Sequence, residues 1–544
     1  MVLFEDPGTE LFEGFNLSTL GVDEAFVSVN STTRWHVYTR NQECIKCPYT
    51  SEAIVESGQA WIWTVDTKFP WKLAFSKEDV GDFLPEANES RAECIVGTDH
   101  FGEFGVYSID PQNCSFETRK EPVNIYSGLL ACFLFYVVLA FLWIVFEALW
   151  RRSRLKTLCR YIRESMRPET TIDITSSWDA DEERKKKKHR LKSLDTFRGF
   201  LWIMGVCIPM SIRSGLRRDG SRLSIFRHVL SRSVKLFLLG LILNSLGGRN
   251  DLQRFRIFGV LQRFAVAYFI NAVLMLAFAK HDYTPIAKGP LKVLQDIWEL
   301  LPVWVGSICI LILHFAFTFF LPVPGCSSGY LGPGGMHEEG AHKKCIGGAA
   351  GYIDRVVLGE AHLYPTPTAS ILYDSGPFDP EGILGSLTSA FQVFLGMQAG
   401  MTLLLFSDWK SRVKRWLVWG VTCGALGALL CLASKEQGWI PVNKNLWSFS
   451  YVMVTTSMAF FLLTVSYILI DILKWWNGSP FIYPGMNAIV MYAGHSIGYN
   501  LFPWHWRYGP MNTHWEMLVE SLWGTSLWVI IAFIMYKKKV FVAL

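Results

Sequence analysis

Long apolar runs alternate with polar stretches along this chain, and the pattern predicts a protein that crosses a membrane many times. We count ten such runs. Nine reach or approach the roughly 20 residues that a membrane-crossing helix needs. They lie near 125–150, 233–247, 256–279, 298–321, 382–406, 415–434, 446–473, 485–502 and 519–536. The tenth run, 200–212, has only about 13 residues and is too short to cross as a helix.

The polar region before the first run, residues 1–124, predicts a small β-rich domain. The segment 60–66 alternates apolar and polar residues, which is typical of strands. N-glycosylation sequons begin at Asn16, Asn30, Asn88 and Asn113. Such a cluster indicates that the domain faces the lumen of the secretory pathway.

The cysteines of the loops support an oxidising compartment. Of the 12 cysteines in the chain, the set outside the apolar runs includes Cys44, Cys47, Cys94, Cys114, Cys326 and Cys345. We expect these six to form disulfides, with Cys326 and Cys345 closing one glycine-rich loop. The Cys44-x-x-Cys47 spacing also occurs in zinc sites and redox motifs, but it has no second such pair and no histidine pair beside it.

The first residues do not read as a secretory signal peptide. Residues 1–14 contain four acidic residues and lack a basic segment followed by an apolar one. Either the natural N-terminus lies upstream, or the first apolar run acts as a reverse anchor.

Charge sets the orientation of the runs. Only 18% of residues are charged, against about 25% in a soluble domain. The net charge of +5 does not indicate a nucleic-acid partner, because the basic residues cluster beside the apolar runs. Residues 151–192 hold 14 Lys and Arg and are predicted to be cytoplasmic, as is the arginine-rich stretch 213–232.

Two basic stretches on the same side of the membrane leave no room for a single crossing between them. The run 200–212 must therefore either enter and leave from the cytoplasmic side, or have lost a hairpin partner, and we favour the loss. The predicted organisation is a luminal domain at 1–124, a first helix at 125–150, a cytoplasmic loop at 151–192, and a membrane domain at 193–544. Within the last, the loop 322–381 is luminal.

Seven motifs carry a specific resemblance. They are Leu194-Asp-Thr-Phe-Arg-Gly199, Gly259-Val-Leu-Gln-Arg263, the glycine-rich segment 321–335, Cys345–Arg355, Asp379-Pro-Glu-Gly-Ile-Leu-Gly385, Pro441-Val-Asn-Lys-Asn-Leu-Trp-Ser448 and Tyr483-Pro-Gly-Met-Asn487. In sequence and order they closely resemble the heparan-α-glucosaminide N-acetyltransferase family of the lysosomal membrane. The resemblance begins near residue 121 and is weaker over the N-terminal domain.

The resemblance implies a fold and an activity. The fold would be mainly α, a polytopic membrane protein with about 10 apolar segments here against 11 in the family, preceded by the small β-rich luminal domain. The activity would be transfer of acetyl from cytosolic acetyl-CoA to the amine of a terminal glucosamine of heparan sulfate in the lysosome. A multi-pass homodimer in the lysosomal membrane is expected, with acetyl-CoA as cosubstrate and no metal.

One departure from the family is serious. In the family, the first motif continues into a full helix, a luminal turn that carries the proposed active-site histidine, and a second helix. Here Gly199 runs directly into Phe200, so about three dozen residues and that histidine are absent. This exact chain is therefore predicted to be inactive or nearly so. The alternatives are a related membrane acyltransferase with another acceptor, or a catalytically dead member of the family.

The remaining catalytic candidates are His495 and Asn487. A histidine can accept a proton from an amine near neutral pH, or carry the acetyl group covalently, and the sequence leaves both routes open. The two residues are spaced i, i+8 on one predicted helix and would share a face, with a hydrogen-bonded structural histidine as the alternative.

Binding candidates come from the charged and polar residues of the motifs. For acetyl-CoA they are Asp195, Arg198, Gln262 and Arg263; for the glycan they are Asn443, Lys444 and Asn445. Cations suit phosphates, sulfates and carboxylates. The alternatives are a helix cap with a local ion pair for Asp195 and Arg198, a structural ion pair for Arg263, and a solvated turn for Lys444.

Overall fold

A computed structural model describes residues 11–98, 101–142, 145, 149, 191–196, 201–281, 283, 294–434 and 438–542. Most of the predicted basic loop 151–192 therefore lies outside the described residues, as does Arg198.

The N-terminal region forms a β domain, as the alternation predicts. Its strands are β1 Leu11–Phe12, β2 Phe15–Asn16, β3 Glu24–Asn30, β4 Trp35–Asn41, β5 Tyr49–Val55, β6 Ala60–Asp66, β7 Trp71–Ser76, β8 Phe83–Leu84, β9 Cys94–Thr98, β10 Val106–Asp110 and β11 Ser115–Lys120. One large sheet has the order β11-β10-β3-β6, the other β8-β5-β4-β7-β9, and β1 and β2 form a separate two-stranded sheet. Side chains such as Val27, Val65 and Phe75 from both sheets fill a common core.

The rest of the described chain is helical. The helices are α1 Tyr126–Leu142, α2 Lys192–Thr196, α3 Leu201–Asp219, α4 Arg222–Asn244, α5 Val260–Phe278, α6 Gln295–Trp298, α7 Leu301–Phe320, α8 Gly348–Leu358, α9 Thr368–Tyr373, α10 Ile383–Leu405, α11 Trp409–Leu430, α12 Phe449–Tyr467, α13 Ile482–Met486, α14 Ala488–Gly498 and α15 His514–Lys537. Six of those described are long and apolar enough to cross a membrane: α5, α7, α10, α11, α15, and α12 with the turn that extends it to Ile472. The protein is a polytopic membrane protein of mainly α class with an N-terminal β domain.

The helices form one bundle with two distinct ends. At one end, which we call the β-domain end, Lys46 pairs with Glu338 at 3.5 Å and Tyr373 accepts a hydrogen bond from the backbone of Ile45. At the opposite end, Arg415 pairs with Asp296 at 2.7 Å, and Arg222 donates to the last carbonyls of α5. The central helix α10 runs from the first end to the second, and nearly all of it is buried.

The short run near residue 200 does not cross the bundle. Before it, the backbone N–H of Ser193 bonds to Asp471 at the opposite end, and after it, Arg222 lies at the same end. Helix α3 runs parallel to α10, because the backbone at Trp202 meets Gly396 and the backbone at Val206 meets Gly400. It therefore begins about halfway along α10 and leads back to the end where the chain entered.

Glycines make the α3–α10 crossing close. A Cβ on Gly205 would overlap the carbonyl oxygen of Val393, and a Cβ on Gly396 or Gly400 would overlap carbonyl oxygens of α3. Glycines four residues apart on α10 therefore let the two backbones touch, the arrangement that favours tight packing between membrane helices.

Two of the predicted elements differ from the structure. The run 485–502 was expected to span, but its helix α14 has only 11 residues and is separated from α13 by a break at Asn487. Helix α4 begins at Arg222, well before the predicted span at 233, because the arginine-rich stretch is itself helical. The prediction that Asn487 and His495 share one helix is thus wrong.

The six loop cysteines pair in the structure as Cys44–Cys47, Cys94–Cys114 and Cys326–Cys345. Of the interpretations of the Cys44-x-x-Cys47 spacing, the disulfide is the one found in the structure. Three of the sequon asparagines, Asn16, Asn30 and Asn113, are exposed, and Asn88 is half-buried. The first three are accessible for glycosylation, which remains a prediction.

Candidate functional site

Four of the sequence motifs converge at the β-domain end of the bundle, around Arg263. This arginine is in the first turn of α5 and is 2% exposed. Its Nη2 donates to the carbonyl oxygen of Pro380 at 2.5 Å, and its guanidinium lies over the ring of Trp447 at 4.4 Å. Its Nε and Nη1 have no hydrogen-bond partner within the described ranges. A buried cation with free donors is a candidate binding group.

A second arginine, Arg256, binds the two acidic residues of the Asp379–Gly385 motif. Its guanidinium donates to Asp379, at 2.7 and 3.1 Å, and to Glu381 at 2.7 Å. The Asp379 side chain is 0% exposed, so this ion pair is shielded from solvent. Such a pair, with several short hydrogen bonds, fixes the loop before α10 in one position.

Asp354, on α8, supplies the carboxylate that caps α10. Its Oδ1 accepts a hydrogen bond from the backbone N–H of Ile383 at 2.9 Å, whereas Oδ2 is buried and has no partner in the part of the chain described. A Cβ on Gly382 would overlap Oδ2, so only glycine permits this approach. Burial raises the pKa of the Asp354 carboxyl to about 7, and it is therefore largely protonated at acidic pH.

Two adjoining pockets open beside this cluster. The first has about 420 Å³ of empty volume and is lined by His314, Tyr330 and Phe449, among others. The second has about 300 Å³ and is lined by Ser375, Asn443 and Asn445. Gly347 and Leu446 belong to both walls. The two pockets thus form one continuous recess at this end of the bundle.

The predicted glycan residues lie at the second pocket. Asn443 Oδ1 accepts hydrogen bonds from the backbone of Asn445 and Leu446, and Asn445 Nδ2 donates to Thr368 at 3.0 Å. Lys444 between them is exposed. The two asparagines therefore shape the turn, while the lysine is free to meet an anion in solution.

Of the four residues predicted to bind acetyl-CoA, the three that the structure describes do not come together. Asp195 lies on α2 at the opposite end and is 3% exposed. Gln262 is fully buried beside Arg263, and its amide has no hydrogen-bond partner within the described residues. The structure thus divides the set between the two ends of the bundle.

Two further motifs meet at the opposite end. Helix α2 carries Leu194–Thr196 of the first motif, and α13 carries most of the Tyr483–Asn487 motif. The two helices pack together, and a Cβ on Gly478 would overlap the hydroxyl of Thr196. Asp471 accepts hydrogen bonds from the backbone at the start of α2.

Polar groups lie in the bundle between the two ends. Trp202 packs edge-on against Phe460 at 4.8 Å, and its buried indole N–H has no acceptor within the described chain. Gln398 accepts from Trp304, but its Nε2 is likewise buried without a described partner, as is the hydroxyl of Thr456. Unsatisfied buried polar groups are rare in proteins, so these three are candidate contacts for a ligand inside the bundle.

The two predicted catalytic residues lie in different environments in the structure. His495 is exposed on α14, and its Nδ1 is 2.8 Å from the carbonyl oxygen of Tyr492. Asn487 is fully buried and uses both ends of its amide on the C-terminal tail: Nδ2 donates to Val540, and Oδ1 accepts from Val542. In this structure Asn487 holds the tail.

Sequence reasoning missed several members of the cluster around Arg263. Asp379, Glu381 and Trp447 lie inside the motifs named above, but the sequence assigned them no role. The signal was present for Asp379 and Glu381, since two acidic residues beside an apolar run require a cation. Nothing in the sequence showed that the cation would be Arg256.

Replacing Arg256 with glutamine is expected to lower the free energy of unfolding by about 1–3 kcal/mol, because Asp379 would keep a buried charge without its partner. The measurement is thermal or denaturant unfolding in detergent. Arg254→Gln is the matched control, since Arg254 is exposed. Equal stability of the two variants would contradict the importance of the pair.

No family model matches the chain. Two curated proteins, both described as "Heparan-alpha-glucosaminide N-acetyltransferase", are similar to it. The one from Mus musculus is 34% identical over 597 aligned residues, which cover 96% of this chain and 89% of the mouse protein. The one from Homo sapiens is 34% identical over 603, covering 96% and 88%. Both alignments are longer than the 544 residues of this chain, so they include positions that the relatives have and it lacks.

Proposed function

Because the chain belongs to the heparan-alpha-glucosaminide N-acetyltransferase family, we propose that its fold serves to pass an acetyl group from cytosolic acetyl-CoA to the amine of a terminal glucosamine of heparan sulfate. One observation carries the proposal. The motifs collect at the two opposite ends of a single bundle, as a reaction between a donor on one side of a membrane and an acceptor on the other requires. Polar groups in the bundle interior lie between them.

The reaction needs a base and a polarised thioester. The free amine attacks the thioester carbonyl carbon, the new C–N bond forms, the C–S bond breaks, and the amine proton is passed on as coenzyme A leaves with a thiol. The phosphates of coenzyme A stay in water, so the reacting end must enter the bundle from the donor side. A covalent acetyl-histidine is the second route.

We propose the following roles. Asp195 forms part of the entrance for coenzyme A at the opposite end, and Arg198, which lies outside the described residues, is proposed to contribute its positive charge. Arg263 serves the acceptor end instead, because it lies against the loop of Asp379 and over the ring of Trp447, and Gln262 precedes it in the first turn of α5. Asn443 and Asn445 shape the glycan pocket, and Lys444 binds a sulfate or carboxylate of the sugar chain.

The exact chain is proposed to have little or no activity. We propose that about three dozen residues of the family's hairpin, with its histidine among them, are missing between 199 and 200, and the first described residue of α3 lies about halfway along α10. This favours the second candidate function, a catalytically dead member of the family. We also propose that the protein is a homodimer in the lysosomal membrane, with a glycosylated β domain in the lumen.

The orientation makes a testable prediction. An introduced cysteine at the exposed position Thr366 is expected to be protected from an impermeant reagent applied to the cytosolic face, and one at the exposed Ser407 is expected to be labelled. The reason is that 322–381 lies at the β-domain end, whereas 407 lies beside α11 at the other. Labelling of Thr366→Cys in sealed membranes, at the level of Ser407→Cys, would contradict the orientation.

His495 is proposed as a catalytic residue of a complete chain, with Asn487 placing its helix. In a chain whose hairpin has been restored from the mouse relative, His495→Ala is expected to lower the acetylation rate at least about 100-fold if the imidazole moves the proton. The matched control is His281→Ala, since His281 is also exposed but lies at the opposite end. A normal rate in His495→Ala would leave His495 with a structural role.

The experiment that tests the function itself is a panel of acceptors. Sealed vesicles with the hairpin-restored chain receive labelled acetyl-CoA outside and one acceptor inside. A glucosaminide is expected to be acetylated far faster than a galactosaminide or a hexose without an amine. Faster transfer to either of the others would favour the alternative, a membrane acyltransferase with a different acceptor.

A further inference from the structure

A histidine and two carboxylates meet where the β domain touches the helical bundle. His514 is the first residue of α15, Asp23 precedes β3, and Glu103 precedes β10. His514 Nε2 is 2.6 Å from Asp23 Oδ1 and 3.8 Å from Glu103 Oε1. One ligand atom from each of the three lies within 4.8 Å of the other two. None of these residues takes part in the proposed transfer of acetyl.

Glu103 is the unusual member of the set. Its side chain is 3% exposed, so its carboxylate lies almost entirely out of contact with solvent. It accepts a hydrogen bond from the backbone N–H of Asp23 at 3.2 Å. In the described chain, however, its ion-pair partner is His514 alone, at a distance too long for a hydrogen bond. A carboxylate so placed needs a stronger positive neighbour than it has.

A second group at the same contact is also incomplete. Asn512, 6% exposed, donates from Nδ2 to the carbonyl oxygen of Leu20 at 3.2 Å. Its Oδ1 is buried and has no donor within the described ranges. The two segments that supply Asp23 and His514 therefore also bury an oxygen that is ready to accept from a cation or from a water bound to one.

The donor set suits a transition metal better than calcium. Calcium takes oxygen ligands, whereas a histidine nitrogen with two carboxylates is typical of Zn²⁺. Two ligands about 2.0–2.2 Å from a tetrahedral ion stand roughly 3.4 Å apart. The observed separations of 2.6 and 3.8 Å fall on either side of this value, so rotations of the side chains would bring the three into place. Lys68, 3.5 Å from the other oxygen of Asp23, would orient that ligand through an ion pair.

We propose that Asp23, Glu103 and His514 form a divalent metal site, with zinc as the ion, that joins the β domain to α15. The fourth position is left to water or to Asn512. The ligands come from parts of the chain as far apart as 491 residues, so the ion would tie the first domain to the last membrane helix. The role is structural, and it does not depend on the acetyl transfer proposed above.

The test uses the full-length protein, purified in detergent without a polyhistidine tag and stripped with a chelator. Zinc is then added, and binding is followed by calorimetry and by the shift in melting temperature, with Ca²⁺ and Mg²⁺ as comparison ions. The wild type is expected to bind one zinc per chain and to melt at a higher temperature with it. His514→Ala and Glu103→Gln are expected to bind zinc at least about tenfold more weakly.

His342→Ala is the matched control, because His342 is also a half-buried histidine beside an acidic residue, Glu338 at 3.3 Å. It should bind zinc as the wild type does. The stripped wild type gives an answer even if a variant fails to fold. The proposal is overturned if that protein shows no saturable zinc binding, or if zinc binds equally well to all variants, in which case the cluster is an ion pair only.

Discussion

Membranes that contain this chain are expected to acetylate a glucosaminide at no more than about one-hundredth of the rate of membranes with the mouse relative. A positioned acid or base typically contributes a factor of about 10²–10⁴ to a rate, and we propose that this chain lacks the histidine that serves this purpose in the family. The structure adds a second reason. The first described residue of α3, Leu201, lies about halfway along α10, and the buried indole N–H of Trp202 has no acceptor among the described residues.

The same acetylation measurement can be repeated on a chain in which the missing hairpin has been restored. Inserting the mouse relative's hairpin between Gly199 and Phe200 is expected to restore transfer to within about tenfold of the relative, since the remaining motifs already lie at the donor and acceptor ends of the bundle. A linker of the same length without the histidine is the control. Turnover by the unaltered chain at the relative's level would show that the hairpin is not needed. Failure of the insertion, with the chain well folded, would show that other substitutions have also removed the activity.

Replacing Gly205 with alanine is expected to lower the free energy of unfolding by about 3 kcal/mol or more. The new Cβ would overlap the carbonyl oxygen of Val393, and because this is backbone of a buried helix, the two helices must move apart. The measurement is the melting temperature of the detergent-solubilised protein, together with the fraction that elutes as a single species in size-exclusion chromatography.

Gly215→Ala is the matched control on the same helix. Its Cβ would lie 3.2 Å from the Cδ1 atom of Ile225, the flexible end of a side chain that can shift. A change within about 0.5 kcal/mol is expected there. If Gly205→Ala were as stable as Gly215→Ala, the close crossing of α3 and α10 would not hold the bundle together as described.

Much of the fold could be predicted because membrane helices and β strands leave strong periodic signals. The strand β6 has the predicted bounds, and the runs at 256–279, 298–321 and 382–406 end within four residues of α5, α7 and α10. The run 485–502 was wrongly predicted to be a single span, because the hydrophobicity of a stretch does not show whether its helix is continuous. The break at Asn487 arises from hydrogen bonds to the C-terminal tail, more than 50 residues away, which no local pattern reveals.

The site was predicted only in part for a similar reason. Quoted motifs showed where unusual residues lie, so Arg263 and Asn443 were named. They did not show that Arg263 and Asp195 lie at different ends of the bundle, because depth depends on how helices run in three dimensions. The set of Asp23, Glu103 and His514 gave no motif at all, since its members are separated by 80 residues or more.

The clamp of Asn487 on the C-terminal tail has a consequence for how the protein matures. The partners of this amide leave the ribosome 53 and 55 residues after it does. Until then the junction between α13 and α14 carries unmet donors and acceptors in the interior, at about 1–3 kcal/mol for each. The junction can therefore form its native hydrogen bonds only after α15 and the residues that follow it have been synthesised.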